Sequence, residues 1–214
     1  MSKDGPLPGK AAMLLLFDIA QEAIAEHDEW HTHEHLPERL CIPGFVRGTR
    51  WRAVRGEPGY FVMYEVEELA VLTSKAYLER LNNPTPWTSK MMPFYRGMTR
   101  GLCAVKESFG VGLGGVSLLL RVKRGERLLD GILPGLPSRP GIGSAHVFEG
   151  AATPPMTKEQ RIRGADARLG GALLVTGYSQ DALESLMQTE LAGAQLESAI
   201  YRLEYALTAR EVGA

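Results

Sequence analysis

The chain has 214 residues, of which 44% are hydrophobic and 23% are charged, and its formal net charge is -1. This composition is typical of a compact protein that can bury a core without a metal or a disulfide. The sequence contains no run of Lys and Arg, which argues against the basic surface that nucleic acids and anionic membranes require. We therefore expect a small molecule as the partner, and either a monomer or a homodimer.

The N-terminal residues 1–10 contain charges, glycines and two prolines, which predicts a flexible tail. The apolar run that follows is far shorter than the roughly 20 residues of a membrane span. The two cysteines, Cys41 and Cys103, follow neither a metal-ligand nor a redox spacing. We expect them to be buried free thiols in a reducing compartment, so the predicted location is cytoplasmic.

The first predicted elements are an apolar strand over residues 12–19 and a helix over residues 22–40. A similar strand over residues 115–122 leads into a helix-like stretch at residues 126–136. After each helix comes a turn made of proline, glycine and an apolar residue, "PGF" in one case and "PGI" in the other. This shared turn indicates that the chain contains two related halves.

Each half continues with two more strands, an amphipathic helix and a closing strand, predicted at residues 98–106 and 198–207. The order β-α-β-β-α-β is the ferredoxin-like pattern. The first strand of each half is apolar on both faces, so both faces of each sheet must be buried. Helices can cover one face, and we expect the two sheets to cover each other's second face by packing together. The predicted fold class is α+β: tandem duplicated ferredoxin-like units at residues 11–107 and 108–214, packing sheet to sheet as an α/β barrel. A polar insertion at residues 149–171 is either a lid or a loose loop.

Four of the five histidines lie within the sequence "HDEWHTHEH". On a helix, His27, His31 and His35 share one face and His33 points elsewhere. Three interpretations are open: a metal site, since two histidines at i and i+4 can share an ion, a proton-transfer site, or a polar helix face. We assign His27 and His33 to a solvated face.

Pro37 cannot donate a backbone hydrogen bond, so it should kink the helix and aim His35 away from the histidine stripe. A histidine held at such a bend, beside Trp30 and facing apolar strands, is suited to proton transfer because its pKa can lie near neutral. We therefore predict a functional role for His35 and consider one for His31.

The residues around this cluster carry a family resemblance: Trp30, His35, Pro37, Glu38, the turn Ile42-Pro43-Gly44-Phe45, Arg50, Tyr64, Glu65 and the later "NPTPWT". Residues 12–105 resemble bacterial EthD-like proteins of the dimeric α/β-barrel superfamily, and the second half resembles them only in its pattern. The resemblance implies ferredoxin-like units paired sheet to sheet, with a pocket between sheet and helices. Members include cyclases, isomerases, dehalogenases, cofactor-free monooxygenases and haem enzymes, so the fold does not select a reaction.

Aromatic and polar side chains alternate along the second and third predicted strands. Trp51, Tyr64 and Trp87 could form the aromatic wall of a small-ligand site, or each could fill the core. Arg50 or Arg47 could bind a carboxylate or enolate oxygen, or could be an exposed strand charge.

The aligned second half has Ile132 where the first half has His35, which favours the first half as the active one. His146 lies on the second strand of the second half.

Three functions follow from these patterns. The first is an enzyme without a cofactor or a metal that performs proton-transfer chemistry, of isomerase, cyclase or lyase type, on a small cyclic or aromatic compound. The second is a non-catalytic ligand-binding or accessory protein. The third is a metal- or haem-dependent enzyme with His31 and His35, or His146, as ligands. In the first, the predicted site consists of His35 as general base or acid, His31 as its partner, Arg50 and Tyr64 as holders of substrate oxygens, and Trp30, Trp51 and Trp87 as walls.

Overall fold

A computed structural model of the protein describes residues 6–123, 131–192 and 197–214. Within these ranges the chain forms nine strands: β1 Ala11–Ile19, β2 Phe45–Arg55, β3 Tyr60–Val66, β4 Tyr95–Gly110, β5 Val116–Val122, β6 Ile142–Gly150, β7 Ala167–Arg168, β8 Gly171–Gly177 and β9 Ser198–Thr208. The helices are α1 Ile24–Trp30, α2 Leu36–Leu40, α3 Lys75–Asn82, α4 Pro86–Met91, α5 Lys158–Arg163 and α6 Gln180–Thr189. A π-helical turn, His31–His35, joins α1 to α2.

Eight strands form a closed antiparallel barrel in the order β1-β3-β2-β9-β5-β8-β6-β4, and β4 pairs back to β1. Strand β7 adds a short parallel pairing to β4. The predicted α+β barrel is thus confirmed at the level of its architecture. The strand order within the first half, β4-β1-β3-β2, is the same as the order β9-β5-β8-β6 within the second half.

The barrel separates three apolar cores. Alternate residues of β1 enter two of them: Met13, Leu15 and Phe17 face the helices of the first half, while Leu14 and Leu16 face the barrel interior. The third core lies between the strands of the second half and α6. Because β1 is covered on both faces, its apolar residues are continuous in sequence, as expected for a strand buried on both sides.

Several sequence expectations need correction. The helix predicted at residues 126–136 lies partly outside the described residues, and the part that is described forms a 3-10 turn, Leu133–Ser138. Of the tail predicted at residues 1–10, the part from residue 6 onward is described, and there Leu7 packs into the interior core. Cys103 is buried as expected, but Cys41 is exposed. No helix within the described ranges is long and apolar enough to span a membrane.

Candidate functional site

The histidine cluster forms a buried column on the inner side of the α1–α2 helix. The imidazole rings of His27 and His31 lie 5.5 Å apart, and those of His31 and His35 lie 5.6 Å apart. All three side chains are buried, whereas His33 is exposed and pairs with Glu29. The expectation of a solvated face is therefore wrong for His27 and fits His33.

The helix widens through the histidines rather than kinking. The Leu36 N–H donates to the His31 carbonyl, five residues back, which defines the π turn. We attribute this wide turn to Pro37, which has no N–H to donate and whose ring crowds the His33 carbonyl. The prediction that Pro37 aims His35 out of the stripe is wrong, since His35 stays in the column. Its predicted position beside Trp30 is confirmed, with ring centroids 4.3 Å apart.

A narrow cavity lies between this helix, the outer face of the first-half sheet and α5. Its lining residues are Met13, Leu15, Phe17, His31, His35, Arg39, Tyr64, Tyr77, Leu81, Met92, Tyr95, Met98, Arg100, Glu159, Gln160 and Arg163. The centre of a water molecule can occupy about 20 Å³ of it, which is room for one or two waters. The cavity thus combines apolar walls with imidazole, phenol and guanidinium groups.

His31 and His35 both bring an unpaired ring nitrogen to this region. Their Nδ1 atoms are buried, and neither has a hydrogen-bond partner within the described residues. The Nε2 of His31 lies 3.3 Å from the Tyr64 hydroxyl. Burial, reinforced by nearby positive charge such as that of Arg39, holds the pKa of each histidine well below its usual value. Both imidazoles are therefore neutral at pH 7, and each retains a ring nitrogen that can accept a proton.

His27 is the first histidine of the column, and both of its ring nitrogens have side-chain partners. Its Nε2 lies 3.3 Å from the hydroxyl of Tyr95, a cavity residue, and its Nδ1 lies 3.0 Å from the Asp28 carboxylate. Burial lowers the pKa of His27, and this effect outweighs the opposing attraction of Asp28. His27 thus contacts a cavity residue without lining the cavity itself.

The polar insertion at residues 149–171 supplies one wall of the cavity. Helix α5, within this insertion, contributes Glu159, Gln160 and Arg163. The Arg39 guanidinium donates to the Glu159 carboxylate at 2.6 Å, and both side chains are buried. This ion pair joins the insertion to α2, beside the histidine column.

Arg100 on β4 is a buried cation that the sequence analysis missed. Only 4% of the residue is exposed, and its buried Nη2 has no hydrogen-bond partner among the described residues. Its Nη1 lies 4.0 Å from Asp166, beyond hydrogen-bond distance. A signal was present in the sequence, because strand alternation places Arg100 between Met98 and Leu102 on an apolar face.

The predicted site residues divide into two groups. His31, His35 and Tyr64 line the cavity, and Trp30 packs directly behind His35. Arg50, Trp51 and Trp87 do not line it.

Each of these three side chains has a different partner set. The Arg50 guanidinium bonds to the Asp28 carbonyl at 3.1 Å and to Glu204 at 3.3 Å, outside the cavity. Trp51 lies in the barrel interior. The Trp87 indole donates to Glu26 at 3.2 Å.

The histidines and their neighbours do not form a metal or haem site. Within the described parts of the chain, no group of three or more His, Cys, Asp or Glu side chains is arranged to hold a metal ion. The cavity beside His31 and His35 is too narrow for a macrocycle. Both ring nitrogens of His146 already have partners, Ser108 at 2.8 Å and Ser144 at 3.0 Å. The donor atoms in this conformation therefore do not fit either group.

No protein-family model matches the sequence, and no curated protein matches it at a significant level. Solved structures do match in fold. An anthrone oxidase-like protein shares 11% identity at a TM-score of 0.62 and covers 94% of each chain. A protein of Fusobacterium nucleatum, provisionally assigned as a monooxygenase, shares 8% identity at a TM-score of 0.57 and covers 94% of this chain and 96% of its own. A chlorite dismutase of Candidatus Nitrospira defluvii shares 7% identity at a TM-score of 0.51 and covers 96% and 94%. At these identities the comparison establishes the fold alone, which is that of the ferredoxin-like α/β-barrel proteins.

Proposed function

We propose that the protein is a small-molecule enzyme whose reaction begins when His35 removes a proton from a planar cyclic substrate. The observation that carries this proposal is the pair of neutral histidines whose Nδ1 atoms are buried without a partner among the described residues. An unpaired buried polar atom costs free energy, so such atoms at a cavity are typical of functional groups.

The roles of the two histidines follow from their hydrogen bonds. His35 has no competing side-chain partner among the described residues and is the general base. His31 can exchange a proton with Tyr64 across the 3.3 Å contact, which makes this pair a second acid or a relay. Trp30 holds the His35 ring in place from behind.

The lowered pKa of His35 restricts the substrate. A base with a low pKa is a weak base, so the proton must come from a carbon or oxygen whose anion is delocalised. Phenols, enols and methylene groups between two aromatic or carbonyl groups meet this condition. Methionine and aromatic side chains on the cavity walls suit a flat ring. The chemistry needs no organic cofactor.

The narrow cavity requires a movement before a substrate enters. We infer that the insertion at residues 149–171 is the lid. In support, a second cavity of about 220 Å³ adjoins the first and shares Tyr95, Met98 and Arg163 with it. Displacement of α5 would join the two spaces into one larger cavity.

Two features support the first half as the active half of a two-repeat, EthD-like chain. Both halves have the same strand order, and both histidines come from the first half. The barrel closes within one chain, so a second copy is not needed to complete it.

Isomerisation, cyclisation or elimination would follow if the anion is reprotonated or expels a leaving group. Oxidation is a second candidate, supported by the likeness to an anthrone oxidase-like protein. In that reaction the substrate carbanion would transfer electrons to O₂, so that a CH₂ group becomes a carbonyl and the second oxygen atom leaves as water.

The test is solvent deuterium exchange, which detects proton removal before the full reaction is known. Anthrone and a cyclic β-diketone are incubated with the protein in D₂O under argon, and loss of the C–H signal is followed by proton NMR. We expect exchange above the buffer rate, abolished in His35→Gln and unchanged in His33→Gln, the exposed matched control. No exchange with tight binding of these compounds would instead favour a non-catalytic binding protein.

The same compounds in air separate the two reaction types. Oxygen uptake in proportion to the product formed would identify an oxidase. Exchange without oxygen uptake would identify the isomerase, cyclase or lyase type. If His35→Gln exchanges protons as fast as the wild type, His35 is not the base.

A further inference from the structure

The charges around the cavity do not balance. Arg39 is matched by the carboxylates of Glu159 and Glu38, at 2.6 and 3.0 Å, and the second of these carboxylates is shared with an arginine near the surface, Arg80. These two guanidinium groups and two carboxylates therefore cancel.

The second set of charges consists of two arginines, Arg163 and Arg100, and one carboxylate, that of Asp166. Arg163 donates to both oxygens of Asp166, at 2.7 and 2.8 Å, and Gln160 donates to the same carboxylate at 2.9 Å. Within the described parts of the chain, the one acidic contact of Arg100 is the distance of 4.0 Å to this carboxylate, which already binds Arg163. Among the charges of the described residues, the Arg100 guanidinium thus has no counter-charge of its own, and a guanidinium stays protonated in proteins.

We propose that Arg100 is the binding site for a single substrate oxygen that carries one negative charge, namely the oxygen of a phenolate or enolate. The inference rests on the proposed function and names its substrate class. A buried, partly unpaired charge is costly, and a monoanion in the cavity would neutralise it.

The geometry favours this class over other anions. Among the described residues, Arg100 Nη2 is buried and has no hydrogen-bond partner, while Nη1 lies 4.0 Å from Asp166. A carboxylate is best held by two parallel donors from one guanidinium, whereas a single oxygen needs only the Nη2 donor. A phosphate dianion would exceed the single unmatched positive charge. Apolar neighbours, including Leu15 and Met98, suit the ring that carries the oxygen.

The assignment also completes the chemistry. Removal of a proton by His35 places negative charge on the substrate, and in a phenol or enol that charge collects on the oxygen. A fixed donor at that oxygen stabilises the charge as it develops. The weakness of His35 as a base is then offset by Arg100, which lines the same cavity from strand β4.

The test uses para-nitrophenol, whose phenolate form absorbs visible light and whose neutral form does not. The apparent pKa of the bound compound is measured by absorbance with the full-length protein in excess. We expect binding to the wild type to lower this pKa, and Arg100→Met to weaken phenolate binding about ten-fold to one hundred-fold, as loss of a hydrogen bond to a charged group does. Arg100→Lys should restore part of the effect.

Arg168→Met is the matched control, since Arg168 is exposed and pairs across strands with Arg100. It removes the same charge from the surface and should leave the pKa of the bound compound unchanged. If Arg100→Met does not fold, the affinities of the wild type for two compounds still test the proposal. Para-nitroanisole cannot ionise, so it should bind much more weakly than para-nitrophenolate. Equal binding of both compounds would overturn the proposal, as would an unchanged phenolate affinity in folded Arg100→Met.

This result is separable from the proton-transfer proposal. His35→Gln should still bind the phenolate although it no longer exchanges substrate protons. The wild type could fail to exchange substrate protons while its phenolate binding is weakened by Arg100→Met. That result would support the anion site at Arg100 and remove the catalytic role of His35. Proton exchange by the wild type, together with phenolate binding that is unchanged in Arg100→Met, would support His35 as the base and remove the anion site at Arg100.

Discussion

The buried histidines predict a steep loss of stability in mild acid, and His146 allows its size to be worked out. His146 is fully buried in the barrel, between the Ser108 and Ser144 hydroxyls. Burial, with a smaller contribution from Arg47, lowers its pKa to about 3. The folded chain therefore holds His146 neutral at pH 5, whereas the unfolded chain protonates it at a pKa of about 6.5.

Because the unfolded state binds more protons below pH 6.5, the free energy of unfolding falls as the pH falls from 6.5 towards 3. Each pH unit in this window costs about 1.4 kcal/mol for one such histidine, which makes roughly 2 kcal/mol at pH 5. The loss of unfolding free energy at pH 5 depends almost entirely on the pKa of His146 in the unfolded chain, since its pKa in the folded chain lies well below pH 5.

Urea unfolding between pH 7 and pH 5 measures this slope. His146→Gln loses packing and hydrogen bonds at every pH, but below pH 6.5 its free energy of unfolding should fall less steeply with acid than that of the wild type, by up to about 1.4 kcal/mol per pH unit. His33→Gln, at an exposed position, should keep the wild-type slope. Equal slopes for His146→Gln and the wild type would refute the claim that His146 is buried in its neutral form.

Three further substitutions test the arrangement of the site. Tyr64→Phe removes the hydroxyl beside His31 and should slow proton exchange by about two-fold to ten-fold, the value of one neutral hydrogen bond; an unchanged rate would exclude a relay through this pair. Glu159→Gln breaks the buried pair with Arg39, which typically costs about 3–5 kcal/mol, so amide hydrogen exchange in α5 should accelerate by about one hundred-fold or more; unchanged exchange would show that the pair does not hold α5. Trp51→Phe should lower the free energy of unfolding by about 1–2 kcal/mol and leave proton exchange intact, whereas a loss of activity in a stable variant would contradict its place inside the barrel.

The histidine column shows that helical periodicity predicts which side chains share a face but not whether that face is buried. Spacing of i, i+4 and i+8 placed three histidines on one face, as observed, because the period of a helix is a local property of the backbone. The solvent exposure of that face is not local. It depends on whether a sheet covers it, and here the first-half sheet buries His27 together with the others.

The strands give a second example. Alternation correctly separates Tyr64 from Met63 on β3, and Arg50 from Trp51 on β2. Alternation within each strand does not say which face of β2 meets which face of β3. The observed register pairs Gly48 with Tyr64 and Trp51 with Phe61, so Trp51 shares the barrel interior with Phe61 and is kept from the cavity.

Side-chain periodicity predicts the eight strands of the barrel, the helix that carries the histidines and the α+β pattern, because each of these elements is encoded locally. Which groups meet at the cavity depends on the tertiary structure. Arg100 comes from the closing strand of the first half, and Glu159 comes from the insertion, 120 residues beyond its partner Arg39. Pairing over such a separation depends on how the barrel closes, and no local pattern in the chain records it.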